Sequence, residues 1–280
     1  MSAPPMSATS GTAATGIDPC APAVPSRRAL YRLNPLAKLA APVPAMLALV
    51  FARDLTTPLV FLGIAYAVLL VGARWTARSA ALLLIALPIG IALLSLGMSL
   101  WVDAARVSDT RAVVSLGAWT LHAGALEVGL ATGLRLGAIA ALAFIAGLTT
   151  TGPDLVRATV QQLRVPYRVG YTALAAFRFV PRFAYELDLI RQAHRVRGAH
   201  GGRGPFAAVA RWSGYVVPLL AGAIRHAERV ALAMDSRAFG AHRDRTERHS
   251  VPFRRRDVVF VAVFWLVSGV VLVALVPWAP

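Results

Sequence analysis

The sequence predicts an all-α integral membrane protein with about five transmembrane helices and a cytoplasmic module of long amphipathic helices. Three observations carry this prediction. Apolar residues make up 57% of the 280 positions and charged residues only 15%, which is too apolar for an ordinary soluble domain. Several uncharged runs are long enough to cross a bilayer. Between them lies a stretch with a helical period that arginine interrupts repeatedly.

The basic charge fits a membrane protein better than a nucleic-acid binder. The formal net charge is +16, but the basic residues alternate with apolar helix faces and lack an aromatic stacking pattern. We therefore expect no nucleic acid partner. In a membrane protein, excess arginine lies on the cytoplasmic side and contacts the head groups of anionic membrane lipids.

The N-terminal segment is predicted to be a tail followed by a short span. Residues 1–26 are rich in Ala, Pro, Ser, Thr and Gly, which predicts disorder. The only cysteine, Cys20, lies there, so an internal disulfide and a cysteine metal cluster are excluded. Asn34 can cap a helix that Pro35 starts. The first span then covers residues 36–52 and contains two prolines.

Two uncharged runs, residues 55–73 and 79–101, predict the firmest spans. At about 1.5 Å per residue, each is long enough to cross a hydrocarbon core. Arg74 and Arg78 lie between them and mark an inside loop. Residues 112–125 are apolar but too few for a crossing, so we expect an interfacial or re-entrant piece there.

The predicted fourth span, residues 126–148, contains two ionisable residues, Glu127 and Arg135. They are eight positions apart and therefore lie roughly on one helix face. Ionisable residues at membrane depth are functional candidates by default. The alternative is structural, with Glu127 near the interface and Arg135 facing the bundle interior as a packing anchor.

The chain from residue 153 to 245 predicts the amphipathic module. Residues 149–154 form a helix-start signal, with a capping candidate, an early proline and an acid in the first turn. Pro166 separates a short helix from a longer one, which Pro181 is expected to kink. Two pairs have the spacing of helical ion pairs: Arg182 with Glu186, and Asp188 with Arg191.

A third helix of this module is predicted between Pro205 and about Arg237, with Pro218 inside it. Its middle, residues 216–224, is uncharged but short, so we expect it to be buried against other helices. A basic linker follows, and residues 258–276 form the last uncharged span. The linker arginines are Arg243, Arg245, Arg248, Arg254, Arg255 and Arg256.

The distribution of basic residues predicts the topology. With the N-terminus, the Arg74/Arg78 loop and residues 157–256 in the cytoplasm, 25 of the 29 Lys and Arg residues lie inside. The predicted domains are a tail (1–26), an N-terminal membrane domain of about four spans (27–152), the cytoplasmic module (153–245), and a linker with the last span (246–280).

Two arginines in matching settings dominate the module. Arg197 and Arg237 each lie at the end of an amphipathic helical pattern that closes in glycine, at Gly198 and Gly240. A helix C-terminus favours a cation, and the planar guanidinium suits a groove lined by carboxylates and carbonyls. We therefore expect both arginines to be contact points for a partner outside the membrane.

The absence of nucleotide-binding and metal-binding motifs narrows the range of possible functions. A P-loop requires Gly-Lys-Ser/Thr, whereas Ala37 precedes the only lysine, Lys38, so ATP hydrolysis would belong to a partner. Neither an Asp-rich magnesium pair nor a metal-binding histidine spacing is present. We predict no catalytic residue, metal site or cofactor in this chain.

From about residue 30 onward, the chain resembles the transmembrane T component of energy-coupling factor (ECF) transporters, the EcfT/CbiQ family. The resemblance rests on five stretches in this order: Leu33 to Leu39, Thr149 to Pro153, Phe177 to Pro181, Gln192 to Gly198, and Ala233 to Gly240. The family's pair of Ala-Arg-Gly-like tripeptides stands here as Val196-Arg197-Gly198 and Ser236-Arg237-Ala238. Both arginines are kept, and the small flanking residues differ.

The resemblance implies a non-catalytic transport subunit of the prokaryotic plasma membrane. Arg197 and Arg237 would each insert into one of two cytoplasmic ABC-type ATPases, which would bind ATP and Mg. The long coupling helices would also carry a membrane-embedded substrate-binding S component. Hinge candidates by residue type are Gly198, Gly201, Gly202, Gly204, Pro181 and Pro218.

Two other functions stay open at this point. One is a membrane enzyme acting on a lipid or isoprenoid with Glu127, Arg135 and His122. The other is a basic membrane anchor that binds anionic lipid. The substrate also stays open among vitamins, their precursors, and cobalt or nickel ions, because selectivity in such transporters resides in another chain.

Overall fold

The structure is a computed structural model that describes most of the chain after residue 28. The described residues are 29–52, 54–102, 111–116, 119–198, 204–242, 247 and 249–275. The predicted tail with Cys20, the glycines Gly201 and Gly202, and the linker arginines Arg243, Arg245 and Arg248 lie outside them.

The described chain is almost entirely helical, which confirms the predicted fold class. After a 3₁₀ turn at Ala29–Arg32, ten α-helices and one π-helical turn follow. The α-helices are α1 (Pro35–Ala40), α2 (Val43–Phe51), α3 (Thr56–Gly72), α4 (Ala77–Ala81), α5 (Leu87–Trp101), α6 (Ala123–Thr149), α7 (Gly152–Gln162), α8 (Tyr167–Val196), α9 (Pro205–Asp235) and α10 (Arg255–Leu275); the π turn, Leu82–Ala86, joins α4 to α5.

Among the described residues, four helices are long and apolar enough to cross a membrane: Ala77–Trp101, Ala123–Thr149, Ala207–Asp235 and Arg255–Leu275. Three of them coincide with predicted spans. The other two predicted spans are the shorter apolar helices Pro35–Phe51 and Thr56–Gly72. The first of these is broken between α1 and α2, where Pro42 lies.

Residues 112–116 and 119–122 form an element that the sequence did not predict. Strands β1 (Ala112–Leu116) and β2 (Trp119–His122) pair as an antiparallel ribbon, and α6 begins at Ala123. Val113, Val114, Trp119 and Thr120 have high β propensity, which accounts for the ribbon.

The chain divides into two compact units. One comprises residues 23–174 and 242–280, and the other includes residues 175–241. The core of the first lies between α2, α3 and α6, with Phe264 of α10 against it. Phe61, Leu69 and Leu142 are fully buried there. Large apolar side chains on the outer faces stay exposed, as expected where lipid is the solvent.

Small residues let α5 and α6 approach closely. Gly129, Gly133 and Gly137 recur every four residues of α6 and face α5. A Cβ added at Gly133 would stand only 2.9 Å from the backbone oxygen of Ile91. Because backbone atoms cannot yield as a flexible side chain can, Gly129 and Gly133, which both face the α5 backbone, require glycine, whereas a Cβ at Gly137 would meet only the Ile91 side chain.

A buried polar cluster joins three distant segments of the first unit. We call Asn34, Lys38, Thr149 and Asp257 the polar joint; all four are buried. Lys38 Nζ donates to the backbone oxygen of Thr149 at 2.7 Å, at the C-terminus of α6. The Asp257 carboxylate accepts the backbone N–H of Asn34 at 2.7 Å and that of Arg254 at 2.7 Å.

The joint places each charge where a helix end favours it. Lys38 lies at the negative end of α6, and Asp257 lies in the first turn of α10. The Asn34 side chain caps α1 by accepting the N–H of Leu36 at 2.9 Å, and its amide donates to the backbone oxygen of Val251 at 3.2 Å. The predicted cap at Asn34 and Pro35 is therefore confirmed.

The close packing of α5 on α6 generates a stability prediction. Gly133→Ala forces the added methyl group against α5 and should lower the free energy of unfolding by about 1–3 kcal/mol. The matched control is Gly147→Ala in the same helix, where a Cβ meets nothing within 4 Å. It should be neutral or stabilising. Thermal unfolding in detergent measures both, and equal midpoints for the two variants would contradict the packing.

Candidate functional site

The C-terminus of α8 presents Arg197 in a tight cap. The N–H of Arg197 donates to Ala193 O at 3.1 Å, and that of Gly198 donates to Arg195 O at 3.1 Å. Gly198 adopts φ +68°, the left-handed conformation that ends a helix. Arg197 is exposed, and the preceding Val196 is 90% exposed.

The C-terminus of α9 presents Arg237 in the same position of a cap. The N–H of Ala238 donates to Asp235 O at 2.9 Å, and the N–H of Phe239 donates to Met234 O at 3.0 Å, which is the Schellman pattern. The left-handed residue is Ala238, with φ +55°. The predicted closure at Gly240 is therefore wrong by two residues, although Gly240 also has a positive φ of +91°.

The two arginines are equivalent in local geometry. Each immediately precedes the left-handed residue of its cap, Gly198 or Ala238, and follows an exposed neighbour, Val196 or Ser236. Neither guanidinium forms a hydrogen bond or an ion pair within the described part of the chain. Each cation is thus displayed at the negative end of a helix and is available to a partner.

Helices α8 and α9 contact each other through ring systems. Phe179 meets His226 edge to face with the ring centroids 4.4 Å apart, and His194 meets Tyr215 at 5.3 Å. One turn before His194, Arg191 lies 5.9 Å from the ring centre of Trp212. Partners of high number on α8 have low numbers on α9, so the two helices run in opposite directions.

The antiparallel order separates the two caps. The His194–Tyr215 contact lies two residues before the end of α8 but twenty residues before Asp235, the end of α9. At 1.5 Å per residue, Arg197 and Arg237 therefore stand on the order of 30 Å apart along the helix pair. The arrangement offers two separate contact points.

Within this helix pair, one predicted ion pair forms and the other does not. Arg191 and Asp188 lie 3.1 Å apart. The carboxylate of Glu186 does not pair with Arg182; instead it lies over Gly222 of α9, where an added Cβ would be 2.7 Å from Oε1. The absence of a side chain at Gly222 makes room for Glu186 between the helices.

The expectation that residues 216–224 are buried is wrong. Val217 is 71% exposed, and Leu220 and Ile224 are exposed as well. The physical reason is that α8 meets α9 through a few large rings, which leave most of the apolar surface of α9 uncovered. This apolar face is an open surface, and by length and composition α9 is one of the four candidate spans among the described residues.

The intramembrane candidates lie in different surroundings. Glu127 is exposed near the start of α6, whereas Arg135 is half-buried near the middle of this helix. The Nε atom of Arg135 is buried and has no hydrogen-bond partner in the described chain. The structure does not join Glu127 and Arg135 in an ion pair. His122, the third residue of the enzyme alternative, immediately precedes α6.

The hinge candidates divide into two kinds. Gly198 and Gly204 both have positive φ, +68° and +129°, and flank the segment 199–203. Pro181 and Pro218 lie inside the unbroken helices α8 and α9. Their role as hinges stays a prediction.

Sequence reasoning missed the polar joint as a cluster. It used Lys38 only to exclude a P-loop, and it assigned Asp257 no role. The signal was a lone lysine and a lone acid, each at the first turn of an apolar helix, where a buried charge needs a partner. Among the described residues, no group of His, Asp and Glu side chains is placed to hold a metal ion.

The two caps predict that substitutions at their left-handed residues change helix-end stability in opposite directions. Ala238→Gly should stabilise the end of α9 by about 1 kcal/mol, because glycine has no Cβ penalty at positive φ. Gly198→Ala should destabilise the end of α8 by a similar amount, and nothing within 4 Å of the new Cβ adds a clash. Hydrogen exchange of the amides in each last turn measures both changes. A shift of the same sign in both variants would contradict the assigned caps.

The sequence matches one known protein family and several named relatives. Residues 26–248 match the family described as cobalt transport protein, CbiQ. The chain is 31% identical over 137 residues to the energy-coupling factor transporter transmembrane protein EcfT of Limosilactobacillus fermentum, covering 45% of this chain and 51% of that protein. EcfT of Thermotoga maritima is 30% identical over 129 residues, 46% of each chain.

A longer relative has a different name. A candidate ABC transporter ATP-binding protein of Bifidobacterium longum is 28% identical over 247 residues, which is 85% of this chain but 31% of that protein. The matches to the EcfT relatives span about half of their length. The family match, by contrast, covers well over half of this chain. The chain therefore belongs to the CbiQ family, and the curated relatives that it resembles are EcfT transmembrane proteins of energy-coupling factor transporters.

Proposed function

We propose that this chain transmits the ATP-driven motion of two cytoplasmic ABC-type ATPases to a membrane-embedded S component that binds the substrate. The observation that carries the proposal is the pair of equivalent caps. Arg197 and Arg237 are exposed, unpaired and alike in backbone geometry, and they lie on the order of 30 Å apart along one helix pair. Two arginines displayed in equivalent caps suit two similar binding grooves, which we call sockets, one on each ATPase subunit.

The relative from Bifidobacterium longum supports ATPases as the partners. A region similar to most of this chain makes up less than a third of a protein named for ATP binding. A chain that carries both functions has them in permanent association. The present chain has no Gly-Lys-Ser/Thr motif, so ATP and Mg would be bound by separate subunits and this chain would itself be non-catalytic.

The proposed mechanism is mechanical. ATP binding draws the two ATPases together, and each displaces the helix end that its socket holds. Because α8 and α9 meet through rings at Phe179–His226 and His194–Tyr215, displacement of their ends changes their crossing. The exposed apolar face of α9, which includes Val217, Leu220 and Ile224, is the surface on which the S component would rest and be tilted.

The proposed orientation places the N-terminus and both caps in the cytoplasm of a prokaryotic plasma membrane. It follows from the concentration of arginine in residues 157–256. The cargo is a micronutrient of the kind that S components select: a vitamin, a vitamin precursor or a metal ion. The description of the family as cobalt transport protein includes the last of these.

The docking proposal generates a charge-reversal prediction. Arg197→Glu and Arg237→Glu should each weaken ATPase binding by about 2 kcal/mol or more, since each leaves a charge of the wrong sign in a desolvated socket. The double variant should lose both ATPases and abolish uptake. Affinity is measured with the purified chain in nanodiscs, and uptake is measured in proteoliposomes of the whole complex.

Two matched controls separate docking from general charge. Arg195→Glu changes an exposed arginine in the last turn of α8, and Arg229→Glu changes an exposed arginine of α9. Both should bind ATPases nearly as the wild type does. If the controls lose as much affinity as the docking variants, the chain is a basic lipid-binding anchor and the assignment to Arg197 and Arg237 is wrong. Turnover of a lipid by the purified chain alone would favour the enzyme alternative.

A further inference from the structure

A cleft of about 230 Å³ opens beside the polar joint. Its walls come from the turn before α1, from the junction of α6 and α7, and from the segment before α10. All three segments lie at the ends of apolar helices, so the cleft is at the level where a bilayer presents its phosphate groups.

The cleft is cationic. Arg32, Lys38, Arg254 and Arg256 line it, whereas Asp154 is the one acidic side chain in its wall. Asp154 is already engaged, because it accepts a hydrogen bond from Arg157 at 2.8 Å and another from the Thr151 hydroxyl at 2.7 Å. Asp257, behind the wall, is likewise engaged by two backbone N–H groups.

The cleft also contains donors that the described chain leaves unused. The ammonium group of Lys38 has three N–H donors and is 2% exposed, yet it makes a single hydrogen bond, to Thr149 O. The hydroxyl of Thr150, another wall residue, is buried without a hydrogen-bond partner. Buried donors without acceptors are costly, so an acceptor in the cleft would stabilise both.

We propose that this cleft binds a phosphate group, with the headgroup of an anionic lipid as the source that its position favours. A phosphate supplies negative charge for Arg32, Arg254 and Arg256, and its oxygens accept hydrogen bonds from Lys38 and Thr150. The bound lipid would link the ends of α1, α6 and α10 at the membrane surface. This site is independent of the proposed docking of ATPases.

The test uses the full chain purified in nanodiscs of phosphatidylcholine with a minor fraction of phosphatidylglycerol, followed by native mass spectrometry. The wild type should retain phosphatidylglycerol selectively. The double variant Arg32→Gln/Arg254→Gln should retain about tenfold less, because each arginine lost is a charge-assisted contact. Thr150→Val, which removes the hydroxyl without changing charge, should also retain less.

The control is Arg255→Gln, which removes one positive charge from the residue next to Arg254 but outside the cleft wall. It should retain lipid as the wild type does. In a second arm, inorganic phosphate is titrated into pure phosphatidylcholine discs; binding there that Arg32→Gln/Arg254→Gln removes would support the phosphate site and assign its source to solution. Equal retention by wild type and the double variant, or equal loss in Arg255→Gln, would overturn the proposal.

Discussion

The structure depends on the polar joint, which connects the start of α1, the end of α6 and the start of α10 through buried hydrogen bonds. Lys38 binds the last carbonyl of α6, and Asp257 binds the N–H groups that precede α1 and α10. Each buried charge is compensated by hydrogen bonds and by a helix end of opposite polarity. Removal of one member would leave another unpaired in the low dielectric, so segments more than 200 residues apart in sequence are held in fixed register.

That fixed part contrasts with the helix pair of residues 175–241. There the contacts are a few ring systems and a carboxylate over Gly222, and much of the apolar surface of α9 is open. Sparse contacts between stiff helices permit a change of crossing angle at small cost, whereas the close glycine packing of α5 on α6 does not. The chain thus combines a closely packed unit with a loosely packed helix pair whose ends carry Arg197 and Arg237.

The elements that local physics determines were predictable from the sequence. Uncharged runs identified three of the four candidate spans among the described residues, and Asn34 and Thr151 marked two helix starts. The arginine settings located both helix ends, although the second cap closes at Ala238 and not at Gly240. The predictions that were wrong or missing concern features that depend on contacts between distant residues or on competing local preferences. The ribbon of residues 112–116 and 119–122 was missed because the periodicity of a short apolar run does not distinguish a helix from a strand. The exposure of Val217, Leu220 and Ile224 depends on how α8 packs on α9, which the local sequence of α9 does not determine. The polar joint depends on a hydrogen bond between Asn34 and Asp257, which are 223 positions apart.

The central claim is that the two caps move with the nucleotide state of the ATPases. It is tested most directly by the distance between spin labels at Ala193→Cys and Ala233→Cys, each four residues before its arginine. The background is Cys20→Ser, since Cys20 is the only cysteine. In the reconstituted complex, the account predicts one distance distribution without nucleotide and a shifted one with ATP trapped on the ATPases. An unchanged distribution in a complex that transports at the wild-type rate would contradict it.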